Sequence, residues 1–122
     1  NSCKKTINDS NILVIGAAYK EDIGDTRESP ALKVISKLIH WGANVSYYDP
    51  FVPEISIDGK IFKSLLSLSN NALNNSDCSL ILTAHSPVDY KFVFKNSNII
   101  VDTRDAIKQH SSKLFKLGDG SA

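Results

Sequence analysis

Apolar residues fall along this chain in two rhythms. Short unbroken runs, Ile12-Leu13-Val14-Ile15, Leu80-Ile81-Leu82 and Ile99-Ile100-Val101, lack alternation and so read as strands buried on both faces, as a parallel sheet requires. A helical rhythm fills the interval after the first run. Leu32, Ile35, Leu38 and Ile39 recur at helical spacing behind Ser29-Pro30, a capping hydroxyl followed by a proline suited to a first turn, and Gly42 stands where a left-handed stop belongs. The pattern predicts strands over 11–15, 44–48, 79–83 and 98–102, and helices from 29 or 30 to 41, over 64–75, and as one or two turns within 88–95. The 64–75 helix rests on Leu65, Leu66, Leu68 and Leu73 against several Asn and Ser residues that compete with its backbone. From Pro53 to Asp58-Gly59 the chain reads as a loop, with Lys60-Ile61-Phe62 as a short extended piece. Phe92, Val93, Trp41, Tyr47 and Tyr48 read as packing residues. Residues 1–10 read as a polar linker, 11–107 as the domain, and 108–122 as a polar, disordered tail.

Strands separated by helical stretches predict an α/β domain: a Rossmann-like, doubly wound parallel sheet in three αβα layers, with right-handed crossovers. Strands that all point one way deliver their following residues to one edge, where such sheets bind ligands. Those residues are Ala18-Tyr19-Lys20, Asp49, His85 and Thr103-Arg104. Residues 16–30 lead from the first strand into the first helix, so an anionic ligand is expected at the helix entrance, near the free N–H groups and the cations Lys20 and Arg27. A plainer reading pairs Arg27 with Asp25 or Glu28, Lys20 with Glu21, and Arg104 with Asp102 or Asp105. Asp49 stands where an acidic residue holds a ribose in dinucleotide folds, or else anchors the Asp-Pro turn. The G-x-G-x-x-G fingerprint is absent, since Gly16 is followed by Ala17, Ala18 and Tyr19. His85 is either a general base or a hydrogen-bonding partner of the loop. Cys78 lies at the wrong end of its strand for a nucleophile and reads as structural.

Composition narrows the classes further. A hydrophobic content of 42% over 122 residues supports one core of ordinary size. Fourteen Lys and Arg against thirteen Asp and Glu leave a formal charge of +1, so no global field recruits nucleic acid or an acidic membrane, and any anion site must be local. Cys3 and Cys78 have no partners at metal-ligand or disulfide-framework spacing, which suits a reducing, cytoplasmic compartment. The apolar runs are far short of the roughly 20 residues that span a bilayer. A chain without methionine that starts at Asn1 reads as a piece of a longer polypeptide. Two other classes share the topology. A receiver-like signalling module would phosphorylate Asp49, but it needs an acidic pair after the first strand, where Ala17 and Ala18 stand; a free-standing NAD-binding module needs the missing glycines.

The segment Val14-Ile15-Gly16-Ala17-Ala18-Tyr19-Lys20, then Gly24-Asp25-Thr26-Arg27-Glu28-Ser29-Pro30-Ala31, Gly42-Ala43-Asn44-Val45, Tyr48-Asp49-Pro50, Asp77-Cys78, Thr83-Ala84-His85 and Val101-Asp102-Thr103-Arg104, resembles the C-terminal UDP-binding domain of the UDP-glucose/GDP-mannose dehydrogenase family. Among its branches the turns Tyr-Asp-Pro-Phe-Val-Pro and Asp-Thr-Arg-Asp-Ala are most similar to bacterial UDP-N-acetyl-hexosamine 6-dehydrogenases. The resemblance implies an enzyme that oxidises C6 of a nucleotide sugar from alcohol to carboxylate while reducing two NAD+. It implies that Tyr19, Lys20 and Arg104 contact the UDP-sugar and that Arg27 reaches NAD held mainly by an N-terminal NAD-binding domain, with a central region completing a homodimer. The family's catalytic cysteine and lysine lie ahead of this domain, so the chain alone is expected to be inactive.

Overall fold

The structure, a computed structural model, describes residues 7–117. Ten elements follow in order: β1 (Asn11–Ile15), α1 (Pro30–His40), β2 (Asn44–Tyr48), β3 (Glu54–Ile57), β4 (Lys60–Lys63), α2 (Asn70–Asn74), β5 (Cys78–Ile81), α3 (Tyr90–Asn96), β6 (Ile100–Asp102) and β7 (Leu114–Lys116). Five strands form one sheet in the order β2-β1-β5-β6-β7, every neighbouring pair parallel, while β3 and β4 form a separate antiparallel hairpin. From β1 the chain steps outward to β2 on one side, and from β5 it steps through β6 to β7 on the other. The order therefore reverses between β1 and β5, and such a reversal opens a crevice at the carboxyl ends of the strands.

The predicted doubly wound, three-layer architecture follows from how β1 divides its side chains. Ile12 and Val14 join Ile35 and Leu38 of α1 and Ile55 and Ile57 of β3 on one face. Leu13 and Ile15 join Leu73 of α2 and Val93 of α3 on the other. Burying each such side chain contributes roughly 1.5–3 kcal/mol, so the unbroken apolar run makes β1 the centre of both cores. Cys78 is buried at the amino end of β5, consistent with a packing role. Ser29 caps α1 by accepting from the Ala31 N–H at 3.2 Å, and Gly42 ends it with φ of 93°.

Four sequence expectations are corrected. The helix predicted over 64–75 shrinks to α2, because the leading segment is held to β2 instead: the Leu65 N–H donates to the Tyr47 carbonyl and the Asp49 N–H to Ser64 Oγ. Ser69 then supplies the cap, accepting from the Ala72 N–H. The loop expected through Asp58-Gly59 is the turn of the β3–β4 hairpin, with both residues at positive φ, 51° and 85°, the geometry that matches the twist of paired strands. The polar tail contributes β7, which covers the β6 edge while Leu114 packs into the second core. Nor are residues 7–10 a free linker: Ser10 is buried, its carbonyl accepts from the Asn44 N–H, and the Asp9 N–H donates to the Gly42 carbonyl. Cys3 and the last five residues lie outside the described range. Among the described residues no helix is long and apolar enough to cross a membrane.

Candidate functional site

At Gly16 the chain leaves the sheet with φ of 92° and passes directly over the end of β5. The next two residues are fully buried, and their peptide groups are all engaged. Both the Ala17 and Ala18 N–H groups donate to Asp49 Oδ2, at 2.8 and 3.2 Å; the Ala17 carbonyl accepts from Ser29 Oγ, and the Ala18 carbonyl from Thr83 Oγ1. Asp49 is 3% exposed and also accepts from the Phe51 N–H at Oδ1, so it anchors the Asp-Pro turn as one of its two readings expected. Its carboxylate holds the backbone donors that a glycine fingerprint would offer to a pyrophosphate, which gives a physical reason for alanines at these positions. Sealed in this way, Asp49 offers no oxygen to a phosphoryl donor, and the receiver-like reading loses its acceptor.

His85 is fully buried and bonds the loop, the second of its two expected roles. Its Nδ1 accepts from the Asp22 N–H at 2.8 Å, so the ring hydrogen sits on Nε2, which donates to Asp49 Oδ2 at 2.8 Å. The Phe51 ring lies against the imidazole with centroids 4.8 Å apart. Asp22, at φ of 64°, turns back and accepts from the Ser86 N–H and hydroxyl, which hold its carboxyl below the usual carboxylate range. Residues 19–21 therefore project between two fixed points, Ala18 and Asp22.

Beside this projection lies a cleft of about 330 Å³ lined by Tyr19, Lys20, Glu21, Thr83, Ala84 and Arg104. The three residues expected to meet the same ligand, Tyr19, Lys20 and Arg104, thus share one wall system at the carboxyl edge of the sheet. Arg104 is not in the ion pair that its neighbours offered. Asp102 is buried and accepts from the Arg104 and Ile107 N–H groups, while Asp105 pairs with Lys108 and Lys116. The Arg104 side chain is steadied through Nε, which donates to the Leu82 carbonyl at 2.9 Å. Among the described residues its terminal nitrogens and the Lys20 ammonium have no carboxylate partner. Glu21, Thr83 and Ala84 were not singled out from the sequence as lining residues; their signal was adjacency to the ends of β1 and β5.

Arg27 stands apart from this cleft. It pairs with Asp25, Nε to Oδ1 at 3.1 Å and Nη2 to Oδ2 at 2.9 Å, and its side chain is 89% exposed. The entrance of α1 is closed by Ser29, 3% exposed, and lies outside the lining. The two cations that the sequence placed near that helix start are therefore divided: Lys20 lines the cleft at the carboxyl edge of the sheet, and Arg27 lies outside its lining. Arg27 and its backbone N–H hold the Asp25 carboxyl down to about 2 from 3.8. A carboxyl with a lowered folded value favours the paired loop above its ordinary value and loses that contribution as pH falls through the lowered one. The Arg27 amide resonance is expected to titrate with a midpoint near 2; a midpoint near 3.8 would show that the pair does not form in solution.

The fold and the cleft define a class, a doubly wound α/β domain with a crevice at the carboxyl edge of its sheet lined by two cations, Lys20 and Arg104, and one carboxylate, Glu21. Residues 13–109 match the model of the UDP-glucose/GDP-mannose dehydrogenase family, UDP binding domain, and the chain belongs to that family. A UDP-N-acetyl-D-mannosamine dehydrogenase of Methanococcus aeolicus is 37% identical over 89% of this chain and 26% of its own length. The enzyme of the same name from Methanococcus maripaludis is 34% identical over 88% of the chain and 25% of its own. Among solved structures, a UDP-D-ManNAc dehydrogenase from Pyrococcus horikoshii superposes with a TM-score of 0.70 at 27% identity, covering 96% of this chain and 27% of that one. The chain spans about a quarter of the length of these relatives.

Proposed function

We propose that this chain is the nucleotide-sugar-binding domain of an NAD-dependent UDP-sugar 6-dehydrogenase, of the branch acting on UDP-N-acetyl-hexosamines, which converts the C6 alcohol to a carboxylate. The observation that carries the reading is the cleft that Lys20 and Arg104 line beside Tyr19 and Glu21, neither cation being ion-paired to a carboxylate among the described residues. A nucleoside diphosphate supplies the missing anion: the Arg104 fork binds two phosphate oxygens, Lys20 acts as a point charge, and Tyr19 presents a ring and a hydroxyl to the nucleoside or sugar. The N-terminal NAD-binding and central domains of the same polypeptide form the opposite wall, and the full-length enzyme is a homodimer in the cytoplasm. NAD accepts the hydride when bound there. Arg27, on the exposed side of the loop, turns from Asp25 toward that cofactor.

Titration calorimetry of this chain with UDP, with NAD+, and with Mg2+ plus acetyl phosphate tests the reading, and heat with either of the latter two but none with UDP overturns it. Arg104→Ala is expected to weaken UDP binding by roughly tenfold or more, the scale of a lost charge-assisted bidentate contact. Unchanged affinity removes Arg104 from the site. Arg27→Ala is expected to leave UDP affinity within about twofold, since an exposed pair contributes little. A large loss would assign Arg27 to the sugar nucleotide rather than to NAD.

A further inference from the structure

The proposed ligand residues Tyr19 and Lys20 make no side-chain hydrogen bond of their own among the described residues, so something else must hold them toward Arg104. The buried polar chain beneath them does this. Asp49 Oδ2 gathers the Ala17 and Ala18 N–H groups and His85 Nε2; His85 Nδ1 receives the Asp22 N–H; the Asp22 carboxylate returns to Ser86, one residue past His85. The projecting residues are bracketed on both sides by the same two side chains. His85 itself is fixed from below, where the Tyr90 hydroxyl donates to its carbonyl at 3.2 Å, and from the side by the Phe51 ring.

We infer that His85, through Asp49 and the Asp22 backbone, is a positioning residue that sets the loop carrying Tyr19 and Lys20 against Arg104 for nucleotide binding. The inference rests on the proposed nucleotide reading of the cleft. An imidazole suits the task because one ring offers an acceptor and a donor in opposed directions, and the site uses both. No other side chain spans a backbone N–H and a buried carboxylate with that rigidity. Full satisfaction matters, since either ring nitrogen left unpaired at zero exposure would cost the site its order.

The test compares this chain with His85→Asn, His85→Gln and His85→Ala by amide exchange and by UDP calorimetry. Asn offers an acceptor near the Nδ1 position and Gln a donor near Nε2, so each restores one half of the link. In His85→Ala the Tyr19 and Asp22 amides are expected to exchange about tenfold faster while the β1 amides stay protected, and UDP affinity is expected to fall about tenfold, the scale of one unmet buried hydrogen bond. His85→Asn should recover protection of the Asp22 amide and part of the affinity. Imidazole nitrogen shifts of the unaltered chain should report hydrogen on Nε2. Unchanged loop exchange and affinity in His85→Ala overturn the inference, and so does a uniform acceleration of loop and sheet amides, which marks a packing role only. Should His85→Ala fail to fold, wild-type affinity and exchange in both His85→Asn and His85→Gln overturn it. If the unaltered chain gives no heat with UDP, the nucleotide reading falls, and the exchange series still decides whether His85 sets the loop.

Discussion

Asp49→Ala is expected to lower the unfolding free energy by about 4 kcal/mol or more, measured by urea denaturation. The substitution deletes the acceptor for four donors, the N–H groups of Ala17, Ala18 and Phe51 and the Nε2–H of His85. Ala17, Ala18 and His85 are at most 1% exposed, so water cannot replace the carboxylate without opening the loop. Each buried donor left unpaired costs roughly 1–3 kcal/mol, and some of that is recovered by relaxation, which sets the expected size. Domains of this size have about 5–15 kcal/mol in hand, so the variant should sit close to its unfolding threshold. A loss below about 1 kcal/mol would mean that the four bonds are not made together in solution.

Gly16→Ala is expected to cost about 3 kcal/mol, from two independent sources. The backbone there has φ of 92°, which a side chain disfavours, and a Cβ would stand 2.3 Å from the Thr83 carbonyl oxygen and 2.6 Å from its Cβ. Relief requires β1 and the end of β5 to separate, which would disturb the Thr83 hydroxyl bond to Ala18 that holds the loop. A thermal midpoint within a degree or two of the unaltered protein would show that this crossing is looser than described. Because the two substitutions act on one contiguous loop, their effects are not expected to add.

The strands of the central sheet and α1 were legible because each carries its own instruction. An unbroken apolar run states two-sided burial, and Ser29-Pro30 with Gly42 brackets a helix whose apolar face repeats every third or fourth residue. What escaped the sequence was set by partners distant along the chain. Leu65 and Leu66 sit at helical spacing with Leu68 and Leu73, yet Leu65 is spent on the Tyr47 carbonyl and Leu66 is fully exposed. Propensity cannot register a bond to another strand. Likewise Leu114-Phe115-Lys116 is too short and too mixed to announce a strand until β6 presents an edge for it. In the site, the residues at strand ends were readable from topology alone, and Lys20 and Arg104 do line one cleft. The loop's inner wiring was not readable. That a histidine at 85 and an aspartate at 49 would meet is a property of sheet order, because β1 lies between the strands that carry them.

The strip at Leu114–Lys116 has one more consequence. A parallel sheet that stopped at β6 would expose a row of unsatisfied peptide groups beside a hydrophobic flank, a template for other chains to join. Here the outermost strand is only three residues long and ends in a lysine tied to Asp105, so it gives a stray chain little length to zip onto and a charge to meet. The segment that looks most dispensable in the sequence thus covers the β6 edge and leaves only a three-residue strand outermost on that side of the sheet.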